Sequence, residues 1–147
     1  MITDYKKLRK YTNDPDDPVI LEEYCDFLKE YLSQGFMEKQ MEQIYRNQYT
    51  QLLLKQLEQK VNLHTCVCLM ENLMVQRDFF LAEKVLKIMD QNWHRGEEYW
   101  IWKIRYLAER KMGKELKQSL QALKEEHIYL SSRGKEALGF WLDGSKK

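Results

Sequence analysis

His64-Thr65-Cys66-Val67-Cys68 brings an imidazole and two thiols into five consecutive positions, the pattern that first suggests metal or proton chemistry. Zinc asks for four such ligands in a tetrahedron. On a helix His64 and Cys68 lie one turn apart on one face, while Cys66 points roughly the opposite way. No second Cys/His cluster supplies the missing ligands, so Cys66 reads as a small core residue, and no metal or cofactor is expected. Catalysis has no better start. The chain carries no Gly-rich phosphate loop, no His-Glu-x-x-His and no nucleophile with an obvious base beside it. Glu22/Glu23 and Glu97/Glu98 are adjacent pairs that project in different directions from a helix, which suits cap or surface charges. His94 in a turn and His127 at a helix end suit cations near helix C-termini. The expectation is a protein that is not an enzyme.

Tyr5, Lys6, Lys7, Arg9, Lys10 and Tyr11 form a basic-aromatic cluster that could touch nucleic acid, beside Asp14, Asp16 and Asp17. The neighbouring acids favour a solvated helix, so nucleic acid is disfavoured as a partner. A nucleic-acid-associated regulator using this arm is the alternative reading. The formal charge of +1 leaves no excess to hold a phosphate backbone or an anionic membrane. No apolar run approaches the roughly 20 residues that span a bilayer, so no membrane is expected. The start, MITDYKKLRKYT, lacks the apolar core of a secretory signal. Cys25, Cys66 and Cys68 cannot all pair within one chain, which points to a reducing cytoplasm.

The elements that must position these residues are helices. Two prolines, six glycines and few β-branched residues in 147 positions permit long helices, and 44% apolar residues permit one packed domain over 1–147. Residues 1–12 suggest a short helix, stopped by Asn13-Asp14-Pro15-Asp16-Asp17-Pro18. Asp17 as cap and Pro18 as first residue start a helix to about Ser33, ended by Gly35. Met37 to about Lys60 reads as one long helix with Met41, Ile44, Tyr45, Tyr49, Leu52, Leu53 and Leu57 on its packed face. Asn62 is a weak stop before a helix from Leu63 to Val75. Further helices follow over 79–91, 98–112, 115–127 and 131–142, giving an all-α chain of up to seven helices, the short stretch at 1–12 not counted, joined by short turns.

The helix from Glu98 to Met112 stands apart because it is apolar nearly all round. Trp100, Ile104 and Leu107 form one stripe, Tyr99, Trp102 and Tyr106 a second, and Ile101 and Ala108 begin a third. Such a helix must be covered on two sides. A shift of 34 residues superposes Cys66 on Trp100, Met70 on Ile104 and Leu73 on Leu107, and then Ala82, Leu86 and Met89 on Leu116, Leu120 and Leu123. The turn residue Arg77 falls on Lys111.

On these residues the chain from 63 to 142 resembles the tetratricopeptide repeat family, whose unit is a 34-residue antiparallel helix pair. Trp100 matches the family's tryptophan in the first helix and Ala82 its small residue in the second. Ile104 and Leu116 are bulkier than the pattern, and no proline closes either unit. The resemblance implies a right-handed stack of antiparallel pairs, two units plus a closing helix, behind an unrelated helical stretch over 1–62. It also implies a groove that binds a segment of another protein, lined by His64, Val67, Glu71 and Met74 on one helix. Glu98, Ile101, Trp102, Arg105 and Glu109 continue the groove on the next. The implied role is an adaptor, chaperone or regulator whose partner is another protein or peptide, with homo-oligomerisation left open. The competing arrangement has the helices before Leu63 folding back to fill that face.

Overall fold

The computed structural model describes residues 17–35 and 37–144, and among them every regular element is a helix. In chain order these are α1 (Pro18–Ser33), α2 (Lys39–Gln59), α3 (Leu63–Gln76), α4 (Phe79–Trp93), α5 (Glu97–Glu109), α6 (Gly113–Glu125) and α7 (Ser132–Gly144). None is long and apolar enough to cross a membrane. The helix and the basic-aromatic cluster expected before Asp14 lie outside the described residues. Contacts gather into two compact units that divide between Gln76 and Arg77, one helix later than the boundary at 62/63 read from the repeat.

In the first unit α2 packs against both α1 and α3. Connections of a few residues make consecutive helices antiparallel neighbours. Asp17 caps α1 as expected, its Oδ1 accepting from the backbone N–H of Val19 at 2.9 Å. Gly35, at φ 71°, ends it in the left-handed conformation that glycine adopts without a Cβ penalty. Asn62 is not merely a stop. Its Oδ1 accepts from the backbone N–H of Thr65 at 3.3 Å and so caps α3. Leu21, Leu28, Leu53, Leu69 and Leu73 supply much of this unit's apolar interior.

A buried hydrogen-bond network fixes α3 against α2. Asn72, 1% exposed, donates through Nδ2 to Thr50 Oγ1 at 2.7 Å and to the Arg46 carbonyl at 3.1 Å. Its Oδ1 accepts from Arg46 Nη1 at 2.9 Å, so the whole amide is partnered. Gln76 extends the network to Thr50 and Asn47. Because α3 ends opposite Asn47 and Thr50, the first turns of α2 run past it. Met41 and Ile44, expected on the packed face, are therefore exposed.

In the second unit α5 is central, packing against α4, α6 and α7. This accounts for a helix that is apolar on several sides: Tyr99, Trp100, Ile101, Trp102, Ile104, Tyr106 and Leu107 are all buried. Trp100 donates its indole N–H to the His94 carbonyl at 2.7 Å, tying α5 to the end of α4. Glu97 Oε1 accepts from Ser131 Oγ at 2.8 Å, at the start of α7. A Cβ on Gly134 would meet that same carboxylate oxygen, so a side chain there would displace the Glu97 carboxylate from its present position against Ser131.

The 34-residue spacing recurs in the backbone. Leu63 and Glu97 both begin helices, as do Phe79 and Gly113. Arg77 and Lys111 share a left-handed φ of 57° and 56°. The residues after them, Asp78 and Met112, sit at φ −88°, ψ 79° and φ −90°, ψ 71°.

Trp102 is 7% exposed, and its indole N–H has no hydrogen-bond partner among the described residues. The Arg105 guanidinium lies 5.1 Å from its ring centroid. Truncating so large a buried group should cost about 3–5 kcal/mol in Trp102→Ala. Trp102→Phe should cost much less, because it also deletes a buried unpaired donor that costs about 1–3 kcal/mol. Thermal and urea melts of the two variants check this ordering. A Trp102→Ala protein as stable as the parent would contradict it.

Candidate binding cleft

Charged residues on α1 recur at Glu22, Asp26 and Lys29, spaced four and three apart, so they share one face. Cys25 lies beside them on the edge of the buried stripe. On α3, His64, Cys68 and Glu71 repeat the same spacing. With α2 packed against both helices, these two faces border a cleft whose floor comes from α2. A hollow of about 480 Å³ opens at one end, bordered by Glu22, Asp26, Gln56 and His64 over a floor of Tyr49 and Leu53. A second hollow of about 220 Å³ runs on past Lys29, Ser33, Arg46 and Glu71. Tyr49 and Cys68 line both, so the two hollows adjoin along the α1–α3 face.

The electrostatics of the larger hollow are divided. Glu22 and Asp26 make the α1 wall acidic, while Lys60 and His64 stand at the α2–α3 end. Gln56, Gln59 and Asn62 add amides, which offer donors and acceptors together. At the floor Cys25 is pushed up to about 12, first by burial and then by the charges of Asp26, Cys68 and Glu22. Burial and the Cys68 sulfur also push the Tyr49 hydroxyl above its ordinary value. His64 Nε2 and Lys29 Nζ each lie 3.6 Å from Cys68 Sγ. No group of three or more His, Cys, Asp or Glu side chains able to hold a metal occurs among the described residues.

Of the nine residues read from the sequence as a groove, the seven other than Glu98 and Glu109 fall into three groups. His64 and Glu71 line the cleft. Val67 and Met74 are half-buried on α3 and line neither hollow. Ile101 and Trp102 are buried and Arg105 half-buried, all on α5 of the second unit. Of the flanking groove positions, Glu98 contacts Arg133 and Glu109 contacts Arg77 at 3.1 Å, both within the second unit. Sequence reasoning missed the α1 wall and the α2 floor. The available signal was the charged face of Glu22, Asp26 and Lys29 running beside a buried cysteine.

The second unit has its own hollow of about 360 Å³ along α4 and α5, with Leu86, Tyr99 and Tyr106 beneath Glu83, Lys87 and Lys103. Near it His94 forms a titratable latch. Its Nδ1 meets the Asp90 carboxylate one turn back on α4, and its Nε2 lies 2.7 Å from Glu126 at the end of α6. These two hydrogen bonds, Glu126 first, raise the His94 pKa against the lowering effect of burial.

A raised folded-state pKa means the latch stabilises fully below the unfolded value near 6.5 and fades as pH climbs through the folded one. The melting temperature lost in His94→Gln should therefore be largest below about pH 6.5 and shrink toward alkaline pH. A loss independent of pH between 5.5 and 9, measured by thermal melts in matched ionic strength, would contradict the latch.

No protein family, curated protein or solved structure matches the chain, so the cleft's geometry is what a functional reading must stand on.

Proposed function

We propose that the protein is a non-catalytic helical module that binds a segment of another protein in the cleft between α1 and α3. The shape of the cleft carries this reading. Its lining runs from Pro18 at the start of α1 to Ser33 at its end. At 1.5 Å per residue that is about 24 Å of helix, room for about seven residues of extended chain at 3.3 Å each. A compact metabolite would occupy one hollow. A peptide occupies both.

The lining chemistry agrees. The side-chain amide of Gln56 can pair with main-chain N–H and C=O groups whatever the sequence of the segment. The acidic wall of Glu22 and Asp26 selects a segment with basic residues along one edge and steers its approach. The same wall repels a phosphate backbone. The recurrence of turn geometry at 34-residue spacing supports kinship with stacked helix-pair proteins, whose first helices present grooves of this kind. In that arrangement α1 is the groove's opposite wall. An adaptor, chaperone or regulator would use such a groove.

Glu22 and Asp26 are both exposed, so reversing them should leave the fold intact. The double variant Glu22→Lys, Asp26→Lys should melt like the parent. It should lose at least about tenfold in affinity for the protein that co-purifies stoichiometrically with the native chain, about 1.4 kcal/mol. Titration calorimetry with the isolated partner reads this. Unchanged affinity in a folded double variant would retire the cleft as the binding site.

A further inference from the structure

The hollow along α4 and α5 gathers cations that no carboxylate compensates. Lys87 from α4 and Lys103 and Arg110 from α5 all line it. None of the three meets an acid among the described residues. Aromatic rings hold two of them instead. Lys103 Nζ lies 5.5 Å from the Tyr99 ring centroid and 5.2 Å from that of Trp100. Arg110 donates through Nη1 to the Tyr106 hydroxyl at 2.9 Å, and its Cζ lies 5.6 Å from the Phe79 ring centroid. A ring face orients a cation without neutralising it, so both charges stay open to an anion. The register brings the third cation close. Phe79 packs edge-on to Tyr106 at one end, and His94 contacts both Asp90 and Tyr99 at the other. Between those ends Lys87 falls within about one turn of Lys103. Of the two acids on the rim, Asp90 already meets His94, which leaves Glu83 against three cations.

Tyr99 is the second observation. Its side chain is 5% exposed and lines the hollow, and its hydroxyl makes no hydrogen bond with any described residue. Burial first, then the charges of Asp90 and Glu126, push that hydroxyl up to about 12, so it keeps its proton and is a donor. The Trp102 N–H is sealed in the interior, whereas the Tyr99 oxygen is not, and the hollow is where it opens. The floor beside it is Leu86, Tyr106 and Leu107, all buried, with Met112 half-buried. A donor without a protein partner and cations without counter-charge, set over an apolar floor, suit a ligand anionic at one end and apolar at the other.

We propose that this hollow binds a small organic acid, its carboxylate held by Lys87, Lys103 and the Tyr99 hydroxyl, its apolar body lying on Leu86 and Leu107. Two ammonium groups and one hydroxyl supply the donors that the two oxygens of a carboxylate accept. At about 360 Å³ the hollow holds about a dozen heavy atoms, taking water's share of roughly 30 Å³ for each. That is the size of a small molecule and well short of a peptide segment. The site is independent of what the cleft of the first unit binds.

Octanoate, octan-1-ol and octylamine present one apolar body with an anionic, a neutral and a cationic head. Titrating each into the full chain, with the backbone amide chemical shifts as readout, tests the proposal. For about ten heavy atoms, ordinary binding efficiency puts the octanoate Kd at or below about 6 mM. Octanoate should bind at least about tenfold tighter than the alcohol, the amine should not bind, and the shifts should centre on α4 and α5. Lys87 is exposed and Lys103 half-buried, so the double variant Lys87→Gln, Lys103→Gln should melt close to the parent and lose at least about tenfold in octanoate affinity. Tyr99→Phe keeps the ring, removes the hydroxyl and should lose about threefold. Equal affinity for the acid and the alcohol would overturn the proposal, as would no octanoate binding at that concentration. So would shifts centred on α1 and α3, or an octanoate affinity that neither variant changes in folded protein.

Discussion

The buried amide of Asn72 is the interaction on which the site depends. A helix packed by leucines alone can rotate about its axis at little cost, because apolar contact is non-directional. Asn72 removes that freedom in α3. Its donors and its acceptor are all used, by Thr50 and by the backbone and guanidinium of Arg46. Any rotation would strand them away from water at about 1–3 kcal/mol for each unpaired group. His64 and Glu71 stand about 80° and 100° around the helix from Asn72. Fixing Asn72 against α2 therefore fixes which face of α3 borders the cleft. The lock borders the second hollow through Arg46 and Asn72, and lock and cleft follow from one helix rotation.

The second unit solves a different problem with different means. Its central helix has no polar face to leave in water, so it is enclosed by α4, α6 and α7. Directional contacts sit at its ends. Trp100 reaches the His94 carbonyl, and Glu97 reaches Ser131 beside Gly134. Among the described residues, the indole N–H of Trp102 is the one buried side-chain polar atom without a hydrogen-bond partner.

The helices were legible because their signals are local. Asp17-Pro18, Gly35 and the spacing of three and four apolar residues act within one or two turns, and the observed ends fall within a few residues of those read. Asn62 shows the limit of that reading: the same side chain that weakens a helix interior caps the next helix, and only the fold says which. Met41 and Ile44 continue a perfect stripe that the shorter α3 fails to cover, something no periodicity can report. The cleft was illegible for a related reason. Lys29 and Cys68 are far apart in sequence, and their approach depends on two helices sharing α2 as a neighbour. The indole of Trp102 looked available as an anchor because composition gives the chemistry of a face without saying whether it is covered.

The central claim is that the cleft of the first unit, rather than the hollow along α4 and α5, receives a partner segment. A photo-crosslinking residue placed at Asp26, exposed on the α1 wall, compares directly with the same residue at Glu83, exposed on the rim of the other hollow. In the native cell the account predicts one dominant partner peptide joined at position 26, displaced by excess unlabelled chain, and none at position 83. Crosslinking at 83 with none at 26 would contradict it.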